Sequence, residues 1–346
     1  MVLVLLLAAV LWGVGALMGA PRRLRWTMIG VLYLAVLIEH LVLPVGNPLR
    51  EATGGSASPW LLFGGFAALA VIYAAGIRWL KARAAPSPAP AHAPTVGTYA
   101  EGELERYARH IMLREIGGPG QTRLRKARVL VVGAGGLGSP ALLYLAAAGV
   151  GTIGVIDGDT VDASNLQRQI AHREEDLGVP KVFSAARAMS ARNPFVTVKP
   201  YHRELTDEIA AELFADYDLV LDGTDNFRTR YLSNRAAVAA GIPLVSGALS
   251  QWEGQLSVFD PARGGPCYQC VFPQAPAPGL APSCAEAGVF SPLPGVVGAM
   301  MAVEAMKVLT DAGTSMRGRM LIYDALYGES RQIALTRRAD CPVCGG

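Results

Sequence analysis

The sequence predicts an α/β domain with a mainly parallel sheet and a structural metal site, preceded by three transmembrane helices. Three observations lead to this prediction. The 346 residues are 51% apolar and only 17% charged, and the apolar excess lies in the N-terminal quarter. Farther along the chain, short aliphatic segments alternate with helical segments. Two Cys-x-x-Cys pairs fall within the same region.

Residues 1–81 are interpreted as a membrane anchor of three helices. Apolar runs cover Met1–Ala20, Trp26–Gly46 and Trp60–Ile77, and each is about long enough to cross a bilayer. Basic residues follow the first and third runs, whereas the loop between the second and third holds only Arg50. The positive-inside rule therefore places the N-terminus outside and the chain after Lys81 in the cytoplasm. A cleaved signal peptide is the alternative for the first run, but no basic segment precedes it.

The second apolar run contains two polar residues, and the third is followed by a Pro/Ala-rich segment. Glu39 and His40 lie past the middle of their run, where they can reach its outer interface; an intramembrane functional site is the alternative. The composition of residues 82–98 predicts an extended, fairly stiff linker. The α/β domain is then expected at 99–346, on the cytoplasmic side of a bacterial-type inner membrane.

Helices and strands alternate in the predicted domain. Helices are predicted at 101–116, 140–148, 181–192, 228–240 and 295–309. Strands are predicted at 128–132, 152–156 and 218–221. Alternation of this kind is typical of a parallel sheet, which binds ligands where the carboxyl ends of its strands meet.

A glycine-rich segment connects the first predicted strand to a helix. Its glycines are Gly133, Gly135, Gly136 and Gly138, in the pattern G-x-G-x-x-G. They allow a tight turn and a close approach of the backbone to phosphate, while the helix N-terminus attracts anions. Asp157 ends the second strand and is placed to accept hydrogen bonds from a ribose. Together they predict a Rossmann-like nucleotide site, for which NAD is the default ligand.

Polar and cationic residues after the second and third strands change that expectation. Asn165, Arg168 and Gln169 follow the second strand, and Lys181 comes a short way beyond them. NAD carries only two phosphates and does not need this many polar and cationic groups, whereas a triphosphate such as that of ATP needs them. Asp225 follows the third predicted strand and is placed to bind Mg²⁺, which prefers a carboxylate together with phosphate oxygens.

These segments together resemble the MoeB/ThiF/HesA family, the bacterial relatives of ubiquitin-activating enzymes. The resemblance runs from about Tyr107 to the C-terminus, and within the family it is strongest to molybdopterin-synthase adenylyltransferase. The segments that carry it are YARHIML from Tyr107, GAGGLGS, SNLQRQ, GVPK, DGTDN, CYQC, CAEAG and CPVC.

The resemblance implies an adenylyltransferase with a Rossmann-like ATP-binding fold. Its substrate would be the C-terminal Gly-Gly carboxylate of a small ubiquitin-like sulfur carrier protein, of the molybdopterin-synthase small-subunit type; the thiamine-pathway carrier is the alternative. The carboxylate attacks the α-phosphate of ATP, an acyl-adenylate forms and pyrophosphate leaves. A C-terminal carboxylate has a pKa of about 3.5 and needs no general base. The chemistry instead needs cations and Mg²⁺ to bring two anions together.

The resemblance also implies a role for each nucleotide-site residue. The four glycines frame the phosphate and adenosine site, and Asp157 holds the ribose. Asn165, Arg168 and Lys181 contact the phosphates, with Gln169 beside them.

Three further roles follow from the same resemblance. Asp225 binds Mg²⁺ or orients the attacking carboxylate. Arg109 reaches into the active site of the other subunit of a homodimer. Cys284 either forms a covalent link to the carrier or is simply a small residue near the carrier's tail, and the sequence favours neither interpretation.

The remaining four cysteines predict a structural zinc site. Cys267 and Cys270 form one C-x-x-C pair, and Cys341 and Cys344 form the other. Two such pairs far apart in sequence suit tetrahedral zinc, and four thiolates leave no open position for a substrate. The site would therefore hold the C-terminus against the domain. The final Gly345–Gly346 resembles the substrate tail of this chemistry, but glycines commonly end a zinc-binding turn.

Two other functions remain as alternatives. An NAD-dependent oxidoreductase is disfavoured by the cations and by the lack of an evident proton donor. A non-catalytic membrane scaffold is disfavoured by the completeness of the nucleotide-site residues. The net charge of +3 is small and argues against nucleic acid as a partner.

Overall fold

The computed structural model describes residues 2–84, 99–277 and 287–345, with side chains omitted for 78–84. Most of the predicted linker, as well as Cys284 and Gly346, lies outside these residues. The chain divides into two compact units, Met1–Pro88 and Ala89–Gly346. This division falls within the predicted linker.

The N-terminal unit has four helices in its described part. They are α1 (Val2–Leu17), α2 (Arg22–Val42), α3 (Pro48–Thr53) and α4 (Ser58–Ala84). Helix α2 and the Ser58–Ile77 part of α4 are long and apolar enough to cross a membrane, with mean hydropathies of 1.4 and 2.0. Helix α1 has 16 residues. It is therefore about 24 Å long, less than the roughly 30 Å of a bilayer's hydrocarbon core.

The polar residues of α2 bond to the short helix α3. Thr53 Oγ1 donates to Glu39 Oε1 at 2.9 Å and lies 3.1 Å from His40 Nε2. The indole nitrogen of Trp60 donates to the carbonyl oxygen of Thr53 at 3.1 Å. Glu39 and His40 thus tie the end of α2 to the segment before α4.

The second unit is built on one sheet, which has eight strands in the described residues. They are β1 (Arg128–Val132), β2 (Thr152–Ile156), β3 (Thr197–Tyr201), β4 (Leu219–Asp222), β5 (Leu244–Leu249), β6 (Glu253–Phe259), β7 (Arg319–Asp324) and β8 (Glu329–Ala334). Their order across the sheet is β3-β2-β1-β4-β5-β6-β7-β8. The first five strands are parallel, and β5 to β8 pair antiparallel. The predicted α/β class is confirmed, and the antiparallel extension adds to it.

Helices cover both faces of the parallel strands. The described helices of this unit are α5 (Glu103–Ile111), α6 (Gly117–Lys126), α7 (Gly138–Ala148), α8 (Lys181–Arg192), α9 (Asp207–Ala215), α10 (Phe227–Ala240), α11 (Tyr268–Val271) and α12 (Leu293–Thr310). One hydrophobic core contains side chains of α7, α8 and α12, and the other contains those of α9 and α10. Helix α12 is also long and apolar enough to span a membrane, but more than half of it is buried in the first core.

Strand β1 shows why its sequence is a continuous aliphatic run. Val129 and Val131 belong to the core beneath α7, whereas Leu130 and Val132 belong to the core beneath α10. All four are buried. A strand covered on both faces has no polar side to display, so an alternating pattern is absent.

The predicted bounds of β1, β2 and α8 are confirmed, but the predicted helix at 101–116 is too long. Helix α5 ends at Ile111, and the separate helix α6 begins at Gly117. The ten residues of α6 include three glycines and a proline, so their low helix propensity hid the helix. The prediction also missed β3, α9 and the antiparallel strands. Strand β8 is exposed throughout and has no apolar periodicity.

Candidate nucleotide site and metal centre

A cleft of about 1080 Å³ opens at the carboxyl ends of the parallel strands. It lies where the strand order reverses between β1 and β4, which is the usual ligand position in such sheets. The predicted site residues that line it are Gly133, Gly135, Gly136, Asp157, Arg168, Gln169, Lys181 and Asp225. Gly138, Asn165 and Arg109 are not among its lining residues.

The turn from β1 into α7 requires glycine at two positions. Gly133 has a φ of +92°, a conformation that other residues rarely adopt. A Cβ atom on Gly138 would lie 1.9 Å from the carbonyl oxygen of Gly133. Gly138 therefore allows the backbone to fold back on itself, although it does not line the cleft. The resulting turn places the start of α7 beside the cleft, where backbone N–H groups favour an anion.

Asp157 joins the end of β2 to this turn. Its Oδ2 accepts a hydrogen bond from the backbone nitrogen of Ala134 at 2.8 Å, and its Oδ1 accepts one from that of Asp159 at 2.8 Å. Each carboxylate oxygen has a second lone pair. Asp157 can therefore accept a hydroxyl donor from a ligand while its backbone bonds keep it in place.

Lys181 begins α8 and forms an ion pair at the cleft. Its Nζ donates to Asp159 Oδ2 at 2.7 Å. The lysine side chain is 7% exposed and that of the aspartate 71%. Asp159 is absent from the predicted site residues, yet it neutralises one of the two predicted cations. Because its carboxylate is exposed, it can turn into solvent when another anion approaches Lys181.

Arg168 is held by a residue outside the cleft lining. Its Nη2 donates to Asn165 Oδ1 at 2.8 Å, and its Nη1 donates to the carbonyl oxygen of Ser164 at 3.3 Å. Asn165 thus positions Arg168 in this structure, whereas the family resemblance implied a phosphate contact for it.

Gln169 lines the cleft and is only 4% exposed. Its Oε1 has no hydrogen-bond partner within the described part of the chain. Buried polar atoms are normally paired. The unpaired acceptor beside the glycine turn therefore fits a site that receives a polar ligand.

The loop after β4 presents Asp225 and is supported by an arginine that the prediction missed. Asp225 is exposed at the cleft. Arg230 is buried. Its Nη2 donates to the carbonyl oxygen of Thr224 and, at 2.8 Å, to that of Gly247. Its Nη1 donates to Ser246 Oγ at 3.2 Å. It thereby ties the Asp225 loop to β5. The available signal was a basic residue in the first turns of α10, directly after DGTDN.

Arg109 and Cys284 differ from the other predicted residues. Arg109 lies on α5, is exposed, and does not line the cleft of its own chain. Its predicted role in a neighbouring subunit stays a prediction. Cys284 falls outside the described residues.

The four remaining cysteines come together as predicted. Their sulfur atoms all lie within 4.8 Å of one another, and each residue is buried. The Sγ separations are 3.9 Å for Cys267–Cys270, 3.6 Å for Cys267–Cys341 and 3.4 Å for Cys270–Cys344. Tetrahedral zinc with Zn–S bonds of about 2.3 Å requires separations of about 3.8 Å. The cluster can therefore hold a tetrahedral metal ion.

The thiols of this cluster favour a bound cation. Burial raises the pKa of Cys267, and burial together with Cys270 raises the pKa of Cys344 to about 12. At Cys341, burial is outweighed by backbone hydrogen bonds from Cys344 and Val343, which lower the pKa to about 6. Four ionised thiols therefore need a compensating positive charge at neutral pH. A polar neighbour on α10 supports the cluster, because Asn234 donates to Cys267 Sγ at 3.6 Å and accepts from the backbone nitrogen of Tyr268 at 2.8 Å.

Comparison with known proteins identifies the family. The model of the ThiF family matches residues 107–343. The chain belongs to the ThiF family. The sulfur carrier protein adenylyltransferase of Thermus thermophilus is 52% identical over 247 residues, which cover 70% of this chain and 91% of that relative. The SAMP-activating enzyme E1 of Haloferax volcanii is 49% identical, with 70% and 89% of the two chains covered.

One further relative is longer, and a solved structure of low sequence identity shares the fold. The probable adenylyltransferase/sulfurtransferase MoeZ of Mycobacterium tuberculosis is 49% identical, but the match spans 62% of its length. A crystal structure of Escherichia coli MccB with ATP shares the fold, with a TM-score of 0.61, 22% identity and coverage of 70% of this chain and 75% of MccB. The predicted family resemblance is confirmed.

Removing one cysteine ligand tests the metal centre. We expect Cys270→Ser to lose most of the bound metal and to lower the free energy of unfolding by about 3 kcal/mol, because the buried thiolates lose their shared cation. Metal content by plasma mass spectrometry and thermal unfolding measure both effects. Cys284→Ser is the matched control and should keep the metal. Equal metal content in the two variants would contradict a four-thiolate site.

Proposed function

We propose that this ThiF-family enzyme uses ATP to adenylylate the C-terminal carboxylate of a small ubiquitin-like sulfur carrier protein. The observation that carries the proposal is the cleft in which the glycine turn, Arg168, Lys181 and Asp225 meet. The relatives from Thermus and Haloferax, which are a sulfur carrier protein adenylyltransferase and a SAMP-activating enzyme, support the same activity.

The residues of the cleft suit attack by a carboxylate on a phosphate. The attacking group is already ionised at neutral pH and needs no base, and no histidine is present among the described lining residues. The main barrier is repulsion between two anions. Arg168 and Lys181 offset the negative charge that the α-phosphate and the departing pyrophosphate share. Mg²⁺ bound by Asp225 would supply further positive charge to the phosphates.

The cleft has room for more than a nucleotide. Its volume of about 1080 Å³ is at the upper end for sites that bind one small molecule. The described wall of the cleft also includes Tyr268, Phe272 and residues 274–277. A chain end of two glycines has no side chains to exclude, so this part of the cleft suits the tail of the carrier. The molybdopterin-synthase type of carrier is the proposed substrate, and the thiamine-pathway type is the alternative.

The cysteine cluster is proposed to hold structural Zn²⁺. All four ligands are thiolates, which zinc accepts readily, and no coordination position stays open for chemistry. Gly345 follows the last ligand, and its nitrogen donates to the carbonyl oxygen of Cys341 at 2.8 Å. The metal would therefore fasten the described C-terminus to α11, which contains Cys270 and directly follows Cys267.

Substitutions in the cleft test adenylylation. We expect Asp225→Asn and Arg168→Ala each to lower ATP–pyrophosphate exchange by at least about 10²-fold, because each removes charge that acts on the phosphates. Exchange is measured with and without Gly-Gly-ending carriers of the molybdopterin and thiamine types. Asp216→Asn and Arg235→Ala, both exposed and outside the cleft, are matched controls. Near-normal exchange in both cleft variants would exclude this function.

A mixing experiment tests whether Arg109 acts across a homodimer. Arg109→Ala and Asp225→Asn should each be inactive alone. If Arg109 completes the partner's site, random mixing restores about a quarter of the wild-type sites, since half the dimers are mixed and each has one intact site. Exchange activity of the mixture provides the measurement. A mixture as inactive as its parents would show that both residues act within one chain or that no dimer forms.

The N-terminal helices are proposed to anchor the enzyme in a bacterial-type inner membrane with the ThiF-family domain in the cytoplasm. Apolar side chains of α2 and α4 are mostly exposed, and ATP is available only on the cytoplasmic side. A phosphatase reporter, active only outside the cytoplasm, should be inactive when fused to the C-terminus and active when fused after Gly54. The reverse pattern would invert the orientation and remove the enzyme from its ATP supply.

A further inference from the structure

A buried histidine lies directly behind the glycine turn. His172 is 6% exposed, and its Nε2 is 2.9 Å from the carbonyl oxygen of Ala134. The nitrogen of the same Ala134 donates to Asp157. The nitrogen of Ala134 is therefore bound by Asp157, which is predicted to contact the ribose, and its carbonyl oxygen is bound by His172. None of the roles assigned above involves this histidine.

The second nitrogen of His172 begins a chain of short contacts. His172 Nδ1 lies 2.8 Å from Ser184 Oγ, and Ser184 Oγ lies 2.6 Å from Asp176 Oδ2. Arg187 donates to Asp176 Oδ1. Despite burial, the bonds from Ser184 and Arg187 hold the pKa of Asp176 below its usual range. Asp176 is thus ionised at neutral pH and carries no proton for this chain.

The three contacts from Ala134 to Asp176 need three protons, one in each. Ser184 supplies one hydroxyl proton, and a neutral imidazole supplies one more. With neutral His172, one of the three contacts therefore opposes two lone pairs: the one at Ala134, the one between His172 and Ser184, or the one between Ser184 and Asp176. A protonated His172 supplies two protons and satisfies all three contacts.

We propose that His172 is a positioning residue that takes up a proton when ATP binds, and that its protonated form fixes the glycine turn through Ala134. The proton comes from solvent and adds to the lone pair of the unprotonated ring nitrogen of His172, and no other bond is made or broken. The inference rests on the nucleotide site of the proposed function, but it concerns ATP binding alone and does not depend on the carrier.

The charged groups around His172 permit this uptake near neutral pH. Burial lowers the pKa of His172, and the positive charge of Lys181 on α8 lowers it further. The bond to Ala134, Asp157 after β2 and Asp176 on its own segment each raise the pKa. The histidine of the free enzyme is therefore mostly neutral at neutral pH. Ordering of the turn strengthens the Ala134 bond, and the phosphates bring negative charge to Lys181, so both changes raise the pKa.

Linkage fixes the direction of the pH effect. Because ATP binding raises the pKa of His172, the affinity for ATP increases as the pH falls toward that pKa. A rise of one pKa unit corresponds to a tenfold difference in affinity between the two protonation states. The KM for ATP in pyrophosphate exchange should therefore be lower at acidic than at alkaline pH, while kcat changes much less.

Two variants separate this effect from the titration of ATP itself. In His172→Gln, the amide can donate to Ala134 but cannot titrate. Ser184→Ala removes the contacts of residue 184 with His172 and Asp176. Neutral His172 can then keep its single proton on Nε2, where it donates to Ala134. Neither variant should therefore take up a proton at residue 172 when ATP binds. Ser233→Ala is the matched control, because Ser233 is an equally buried serine on α10 outside this chain of contacts.

The experiment is isothermal titration calorimetry of the full-length protein in detergent with the α,β-methylene analogue of ATP and Mg²⁺. Titrations at about pH 7 in buffers of different ionisation enthalpy give the number of protons taken up on binding. The wild type and Ser233→Ala should take up more protons than His172→Gln and Ser184→Ala, by a clear fraction of one proton. The pH dependence of KM should weaken in the same two variants.

Equal proton uptake in all four proteins would overturn the proposal. If His172→Gln fails to fold, the comparison of Ser184→Ala with Ser233→Ala still decides. Failure of the wild type to bind the analogue would instead contradict the proposed nucleotide site. Binding with equal uptake in every variant would leave that site intact and reject only the role of His172.

Discussion

The turn between β1 and α7 is the constraint on which the rest of the site depends. Gly138 lies so close to the carbonyl oxygen of Gly133 that a side chain there would displace one strand end or the helix. The turn must also accept Asp157 from the neighbouring strand, through the nitrogen of Ala134. A short parallel sheet thus aligns two strand ends, and backbone hydrogen bonds join them before any ligand arrives. Such preorganisation reduces the ordering cost of binding.

Charge in the cleft is nearly balanced, and this affects how a triphosphate can bind. Among the described lining residues, five cationic side chains face four carboxylates, a surplus of one: Arg168, Lys181, Arg203, Arg228 and Arg230 against Asp157, Asp159, Glu204 and Asp225. A triphosphate carries more negative charge than this surplus can offset. For that reason the proposed mechanism includes Mg²⁺, and the Lys181–Asp159 pair is expected to open. The near balance of charge also lowers the free-energy cost of burying Lys181 when no ligand is bound, because Asp159 pairs with it.

The parallel half of the fold could be predicted because its strands are buried on both faces and its turns contain glycine. The antiparallel half could not, because β8 is exposed and edge strands such as β3 carry polar residues and Pro200. For the site, motif position identified Asp157, Arg168 and Lys181 correctly as cleft residues. It could not show that Asn165 supports Arg168 or that Asp159 pairs with Lys181, since both facts depend on side-chain directions. Arg230 lines the cleft but follows the DGTDN motif instead of lying within it, and His172 lies outside the cleft lining, so motif position alone assigned a role to neither.

The N-terminal unit contributes no described residue to the lining of the cleft, so its proposed role concerns how the enzyme meets its substrates. Every described residue that lines the cleft falls between Val132 and Met320, within the second unit. The match to the ThiF family begins only at Tyr107. An anchor that supplies no catalytic group can still act through effective concentration, since a tethered enzyme meets a membrane-associated partner at a higher local concentration than a free one. The proposed anchor would therefore select where the carrier is activated, while the glycine turn and its neighbours determine how.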